Sequence, residues 1–163
     1  MENAAADAIS PASESGNAAG HRINILGVIC FLYPVLDARK SYWIPAAETF
    51  GFDFLLNEVD RHFVGDEYKS NWSSIRHNAG TSWHTDSDPF TVNQLGHPYQ
   101  GSMYYGFARS AGLTYWESLG YKVTGSAFWE CAGETTPPSF NDQITMGFGG
   151  SFLGEALLLR QRP

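Results

Sequence analysis

The sequence predicts a mainly α-helical fold: a compact bundle of about five helices with Gly-rich, close-packed C-terminal helices and a disordered N-terminal tail. Three observations carry this. Apolar residues recur at helical spacing between Phe52 and Phe63, cap signals stand at fixed offsets further on, and small residues return every fourth position in the C-terminal half. With 163 residues the chain has the length of one domain and can bury a sizeable core.

Residues 1–21 are rich in Ala, Ser, Gly and Asn and hold almost no large apolar side chain, so they cannot offset the entropy of ordering; a disordered tail is expected. An apolar segment follows within 22–40, with its apolar run from Ile23 to Leu36. A membrane-spanning helix needs about 20 residues, and this run is shorter. Two readings stand for it: a degenerate signal or anchor segment, or a core strand or short helix. The single helical domain is then expected over 41–160.

The first helix is predicted at 45–63. Pro45 suits a first turn, and Phe52, Leu55, Leu56, Val59 and Phe63 form one stripe opposite Asn57, Glu58 and Arg61. A weaker helix is predicted at 68–83, with Trp72, Ile75, Ala79 and Trp83 on one face. The turn formers of 84–101 predict an ordered loop. A helix at 100–112 ends on Gly112 as its C′ residue. Thr114 and Glu117 have the spacing of a capping box and open a helix at 114–133, which Pro137 and Pro138 prevent from continuing. Ser139, with Asp142 three residues later, caps a last helix at 139–160.

In these last helices Gly106 pairs by spacing with Ser110, Ala108 with Gly112, and Gly150 with Gly154. A helical Gly costs about 1 kcal/mol against Ala, so close backbone approach at Gly106, Gly112, Gly150 and Gly154 is the expected return.

Composition narrows the function. Ten Lys and Arg against 17 Asp and Glu give a formal charge of −7 without a basic cluster, which argues against nucleic-acid binding. Two cysteines, Cys30 and Cys131, exclude a disulfide-rich scaffold and a four-Cys zinc site. The serines lack a G-x-S-x-G elbow. Gln143 to Leu159 carries Glu155 as its one charge, and aromatic residues are 15% of the chain, a balance that fits packing on a membrane or a membrane protein.

The polar groups worth naming are His97, Arg109, Glu130, Glu134, Asp142 and Glu155. Glu130 and Glu134 are four apart, where like charges repel unless a cation stands between them, and Arg109 is the expected partner. Arg109, Glu130, Glu134, Asp142 and Glu155 are thus read as an internal polar network that fixes the helix packing. The catalytic alternative takes Glu130 or Glu134 as general base and His97 as acid or ligand. His84, Asp86 and Asp88 alternate along the loop and could face one ion, although solvated caps are the expected state of three such groups on a turn. No metal and no cofactor is expected.

Several blocks carry a resemblance: HPYQGSMYYGFARSAG (97–112), YWESLGY (115–121), FWE (128–130), GETTPPSFNDQ (133–143) and GGSFLGE (149–155), with the upstream segment from Ser41 to Asn78. Over roughly 41–158 the chain resembles the bacterial family catalogued as domain of unknown function 3943. That family carries no established activity. The resemblance implies a cell-envelope protein of the periplasm or outer membrane, and longer relatives continue into a region resembling an outer-membrane β-barrel. By position it also picks out His97, Pro98, Gly101, Arg109, Trp129, Glu130, Glu134, Ser139, Asp142, Gly150, Gly154 and Glu155.

The expected function is therefore a non-catalytic, envelope-associated helical module packing on a membrane surface or a membrane-protein partner, a β-barrel among the candidates. The alternative is a membrane-associated enzyme acting on lipid or cell-wall material through a His/Glu/Asp site. A cytoplasmic interaction domain follows if residues 23–36 are core.

Overall fold

The computed structural model describes residues 40–160. The expected tail at 1–21, and all but the last residue of the apolar segment at 22–40, lie outside the described residues. Helix α1 is Trp43–Phe63, a 3₁₀ turn occupies Asp66–Tyr68, and α2 is Trp72–Gly80. Helix α3 is His97–Ser110, entered through a π-turn at Val92–Gly96; α4 is Tyr115–Ala132. The last helical stretch is α5 (Phe140–Ile144), a π-turn (Thr145–Gly149) and α6 (Gly150–Arg160) without a break. Helices are the regular structure of the described residues, as composition and periodicity predict. None of them is long and apolar enough to cross a membrane.

Local chemistry sets most boundaries. Thr114 caps α4 through a reciprocal box with Glu117, and the Ser139 hydroxyl accepts from the Asp142 N–H at the start of α5. At the end of α3, Gly112 adopts φ 80°. Its N–H donates to the Arg109 carbonyl and the Leu113 N–H to the Ala108 carbonyl, both at 3.1 Å, which is the Schellman arrangement.

Two boundaries differ from expectation. The helix expected at 68–83 is Trp72–Gly80, because Asn71 caps it in a box with Ser74 and detaches the 3₁₀ turn. The loop expected at 84–101 is helical from Phe90 onward, so α3 starts well before residue 100. Pro98 offers no N–H and its ring crowds the preceding turn, and the wider π-turn just before it accommodates both effects.

Helix α3 is the axis of the bundle, buried from Gln100 to Ala108 and packed by α1, α4 and α6. The core forms around Met103, Tyr104, Phe107, Trp129 and Met146, with Phe52 and Leu56 of α1 against it. Small residues let the axis be surrounded. A Cβ built on Gly101 would stand 2.3 Å from the Met146 carbonyl oxygen, and one on Gly150 would stand 2.6 Å from the Gly101 carbonyl carbon. One on Gly154 would stand 2.7 Å from the Tyr105 ring.

Helix α1 corrects the predicted stripe. Its buried residues are Pro45, Thr49 and Asp53, spaced by four, while Leu55, Val59 and Phe63 of the expected inner face are exposed. Asn57, expected outside, donates to the carbonyls of Tyr68 and Gly133. On α2, Trp72 and Ala79 are exposed and Asn78 is the buried residue. Both shifts follow from inward polar side chains that meet specific partners, which an apolar period cannot register.

Candidate functional site

The loop after α2 runs along the start of α5. The His84 N–H donates to the Pro138 carbonyl at 3.0 Å, the Phe140 N–H donates to the His84 carbonyl at 2.8 Å, and the Asp86 N–H donates to Asn141 Oδ1 at 3.0 Å. This pinning carries Asp86 and Asp88 to Asp142, and the first turn of α3 brings His97 to the same place. His97 Nε2 stands 3.4 Å from Asp142 Oδ1 and 3.9 Å from Asp88 Oδ2. The three ligand atoms lie within 4.8 Å of one another.

Burial lowers the His97 pKa, only partly opposed by the Asp86 carboxylate, so the imidazole is neutral at neutral pH. Burial pushes Asp142 up to about 8, and the neighbouring Asp86 adds to it. Burial also acts against ionisation of Asp86. There, however, hydrogen bonds from Asp142, Asn141 and the Asp88 N–H outweigh it and bring the pKa to about 2. Asn141 Nδ2 donates to Asp86 Oδ1 at 2.6 Å and reaches Asp142 Oδ1 at 3.3 Å, which orients both carboxyls.

Glu130 stands in the last turn of α4, whereas Glu134 lies two residues past its end, so the two do not share the helix face that their spacing predicts, and they are held separately. Glu130 Oε2 accepts from the Ser139 N–H at 2.8 Å, while its Oε1 is buried without a hydrogen-bond partner. Burial, with the charge of Glu134 next, raises Glu130 to about 9. Glu134 accepts from Trp129 Nε1 at 2.8 Å and from the Thr136 hydroxyl, and burial still raises it to about 7. Among the described residues neither carboxyl is in ion-pair range of His97, whose carboxylate neighbours are Asp142 and Asp88.

The structure divides the expected polar network in two. Arg109 does not reach Glu130, Glu134 or Asp142. Its Nε donates to Glu155 Oε2 at 3.1 Å and one terminal nitrogen donates to the Leu113 carbonyl at 2.7 Å. The Tyr105 hydroxyl donates to the same Glu155 oxygen at 2.5 Å. The reason is the helix phase: Tyr105 and Arg109, four apart on α3, face α6, whereas Glu130 of α4 faces the start of α5 and Glu134 lies in the connection between those two helices. Of the expected packing glycines, Gly150 and Gly154 sit against α3, Gly106 is buried within α3, and Gly112 is its C-terminal turn.

Among the buried polar groups that sequence reasoning did not single out are Asp53, Gln100 and Lys122. Asp53 accepts from the Tyr104 hydroxyl, to which Gln100 Nε2 donates at 2.6 Å, and burial raises Asp53 to about 7 despite the tyrosine. Lys122 is fully buried with Nζ unpartnered, and burial lowers its pKa to about 7. A groove of about 390 Å³ between α1 and α4, lined in part by Ala46, Thr49, Tyr121 and Gly125, contains none of these acids and not His97.

Outside, large apolar side chains stand in solvent. Phe140, Ile144, Phe148 and Phe152 are 54–68% exposed at intervals of four along α5, the π-turn and α6. A spacing of four drifts around an α-helix, and the wider π-turn in the middle partly cancels the drift, so the four form one ridge.

Residues 82–162 match the family model described as Domain of unknown function (DUF3943). No curated protein and no solved structure matches the chain.

Proposed function

We propose, for a chain whose residues 82–162 belong to the DUF3943 family, a non-catalytic role at the cell envelope: a helical module that docks its C-terminal apolar ridge into a groove of a membrane-protein partner. The exposed ridge Phe140–Ile144–Phe148–Phe152 carries this reading. Four large apolar side chains in line, on a helix whose opposite face is buried, make a contiguous patch of the kind that marks an interaction surface.

Charge favours a protein over a lipid surface as the occupant. Helices that lie on membranes place Lys and Arg on their polar face to meet anionic headgroups. From Val123 to Leu159 this chain has no Lys or Arg, and its formal charge of −7 opposes an anionic surface.

The test is fractionation of cells expressing the full chain beside a Phe148→Ser/Phe152→Ser variant, with vesicle flotation of both purified proteins. Wild type is expected to sediment with membranes, to leave protein-free anionic vesicles alone, and to become soluble in the double variant without a change in melting temperature. Wild type recovered entirely in the soluble fraction overturns the docking role, and flotation with vesicles replaces the protein partner by lipid.

A further inference from the structure

We propose that Asp88, His97 and Asp142 form a divalent-metal site that takes a first-row transition ion such as Zn²⁺ or Mn²⁺. This site stands apart from the docking ridge and does not depend on it.

Geometry is the first support. Three elements supply one ligand atom each, all within 4.8 Å. Two ligands held about 2.1 Å from a tetrahedral ion stand roughly 3.4 Å apart, and His97 Nε2 lies 3.4 Å from Asp142 Oδ1. The 3.9 Å to Asp88 Oδ2 closes with a small rotation of that exposed carboxylate.

The second support is His97 itself. The residue is only 5% exposed, yet Nε2 is buried and makes no hydrogen bond, although it points at two carboxylates. A buried imidazole nitrogen that declines a neighbouring carboxylate and faces the space between two of them has the orientation of a ligand. Nor does any cation answer the acids: among the described residues no Lys or Arg forms an ion pair with Asp86, Asp88 or Asp142.

The surroundings complete the site. Asn141 bonds both Asp86 and Asp142 and would hold the ligating carboxyl in place as an outer partner. Asp88, with 40% of its side chain exposed, leaves an entry path and room for water in the open coordination positions. Mixed imidazole and carboxylate ligands suit zinc or manganese, whereas calcium takes six to eight oxygens, which this set does not offer. Both ligand-bearing helices have a π-turn beside the site, at Val92–Gly96 and Thr145–Gly149, a distortion frequent at functional sites.

The experiment titrates the full chain, stripped with a chelator, with ZnCl₂ and separately with MnCl₂ by calorimetry, and follows melting in parallel. One ion per chain and a raised melting temperature are expected for at least one metal. His97→Gln is expected to abolish that uptake. Asp88→Asn, at an exposed side chain, is expected to keep the metal-free melting temperature and to weaken binding by roughly tenfold or more. Cys131→Ser leaves uptake unchanged if the site is the one described. Absence of saturable uptake of either ion overturns the proposal, as does uptake equally tight in Asp88→Asn and wild type; the latter variant decides the matter even if His97→Gln does not fold.

Discussion

Gly150 of α6 lies directly on Gly101 of α3, so close that a Cβ on Gly150 would stand 2.6 Å from the Gly101 carbonyl carbon and 2.8 Å from its Cα. The obstacle is backbone, which cannot swing aside as a side-chain tip can. The glycines of this pair are therefore contact points of two helices, and their cost in helix propensity is offset by the packing they permit.

Gly150→Ala is accordingly expected to destabilise the domain by about 1–3 kcal/mol or more, because the two helix axes must separate. Gly51→Ala and Gly120→Ala, inside α1 and α4 with nothing within 4 Å of the new methyl group, are expected to stabilise it by about 0.5–1 kcal/mol. Denaturant unfolding of the three variants measures this. An unchanged midpoint for Gly150→Ala would show that α3 and α6 are not in contact there.

Arg109 and Glu155 tie the same two helices at their far end. The pair is mostly buried, with side chains 20% and 23% exposed, and it is reinforced by Tyr105 and by the Leu113 carbonyl. Arg109→Met is expected to cost about 1–3 kcal/mol, chiefly through loss of the charged hydrogen bonds to Glu155 and of the bond to the Leu113 carbonyl. Since Glu130 and Glu134 are not partners of Arg109, a double-mutant cycle should give coupling of about 0.5 kcal/mol or more with Glu155→Gln, and none beyond error with Glu134→Gln. The opposite pattern would return Arg109 to Glu134.

Buried carboxyls set the response to pH. The usual values are 3.8 for Asp53 and 4.5 for Glu130 and Glu134; in the folded chain they rise to about 7, about 9 and about 7. The native state thus holds these protons more tightly than the unfolded state. Their contribution is fully present below about pH 4 and is lost as pH rises through the folded values. Lys122 has the other sign: its folded pKa of about 7 lies below 10.5, so its penalty is full below pH 7 and is relieved as pH rises from there. Melting temperature is expected to fall from pH 5 to 7 and, because Asp142 (about 8) and Glu130 (about 9) go on losing their contribution while Lys122 alone offsets it, to fall more gently to about pH 8 before levelling off. Glu130→Gln, which keeps an oxygen for the Ser139 N–H, should reduce the fall. A profile identical to wild type would show that Glu130 ionises normally.

The sequence by itself determined the helices of the C-terminal half and most of their ends. The Gly112 turn, the Thr114–Glu117 box and the Ser139 cap each depend on residues within five positions, so the chemistry that makes them can be read from spacing. The candidate site was legible only in part. His97, Glu130, Glu134 and Asp142 could be named as polar groups in an apolar setting, and Asp88 as one of three alternating groups in a loop. That Asp88 joins His97 and Asp142, and that Arg109 turns to Glu155, was decided by the tertiary structure. These pairings depend on how the loop lies along α5 and on the rotation of each helix about its own axis. Buried backbone contacts and inward polar groups such as Asp53, Asn57 and Asn78 fix that rotation, and they reach partners 11 to 76 residues away, beyond the range over which a periodic pattern carries information.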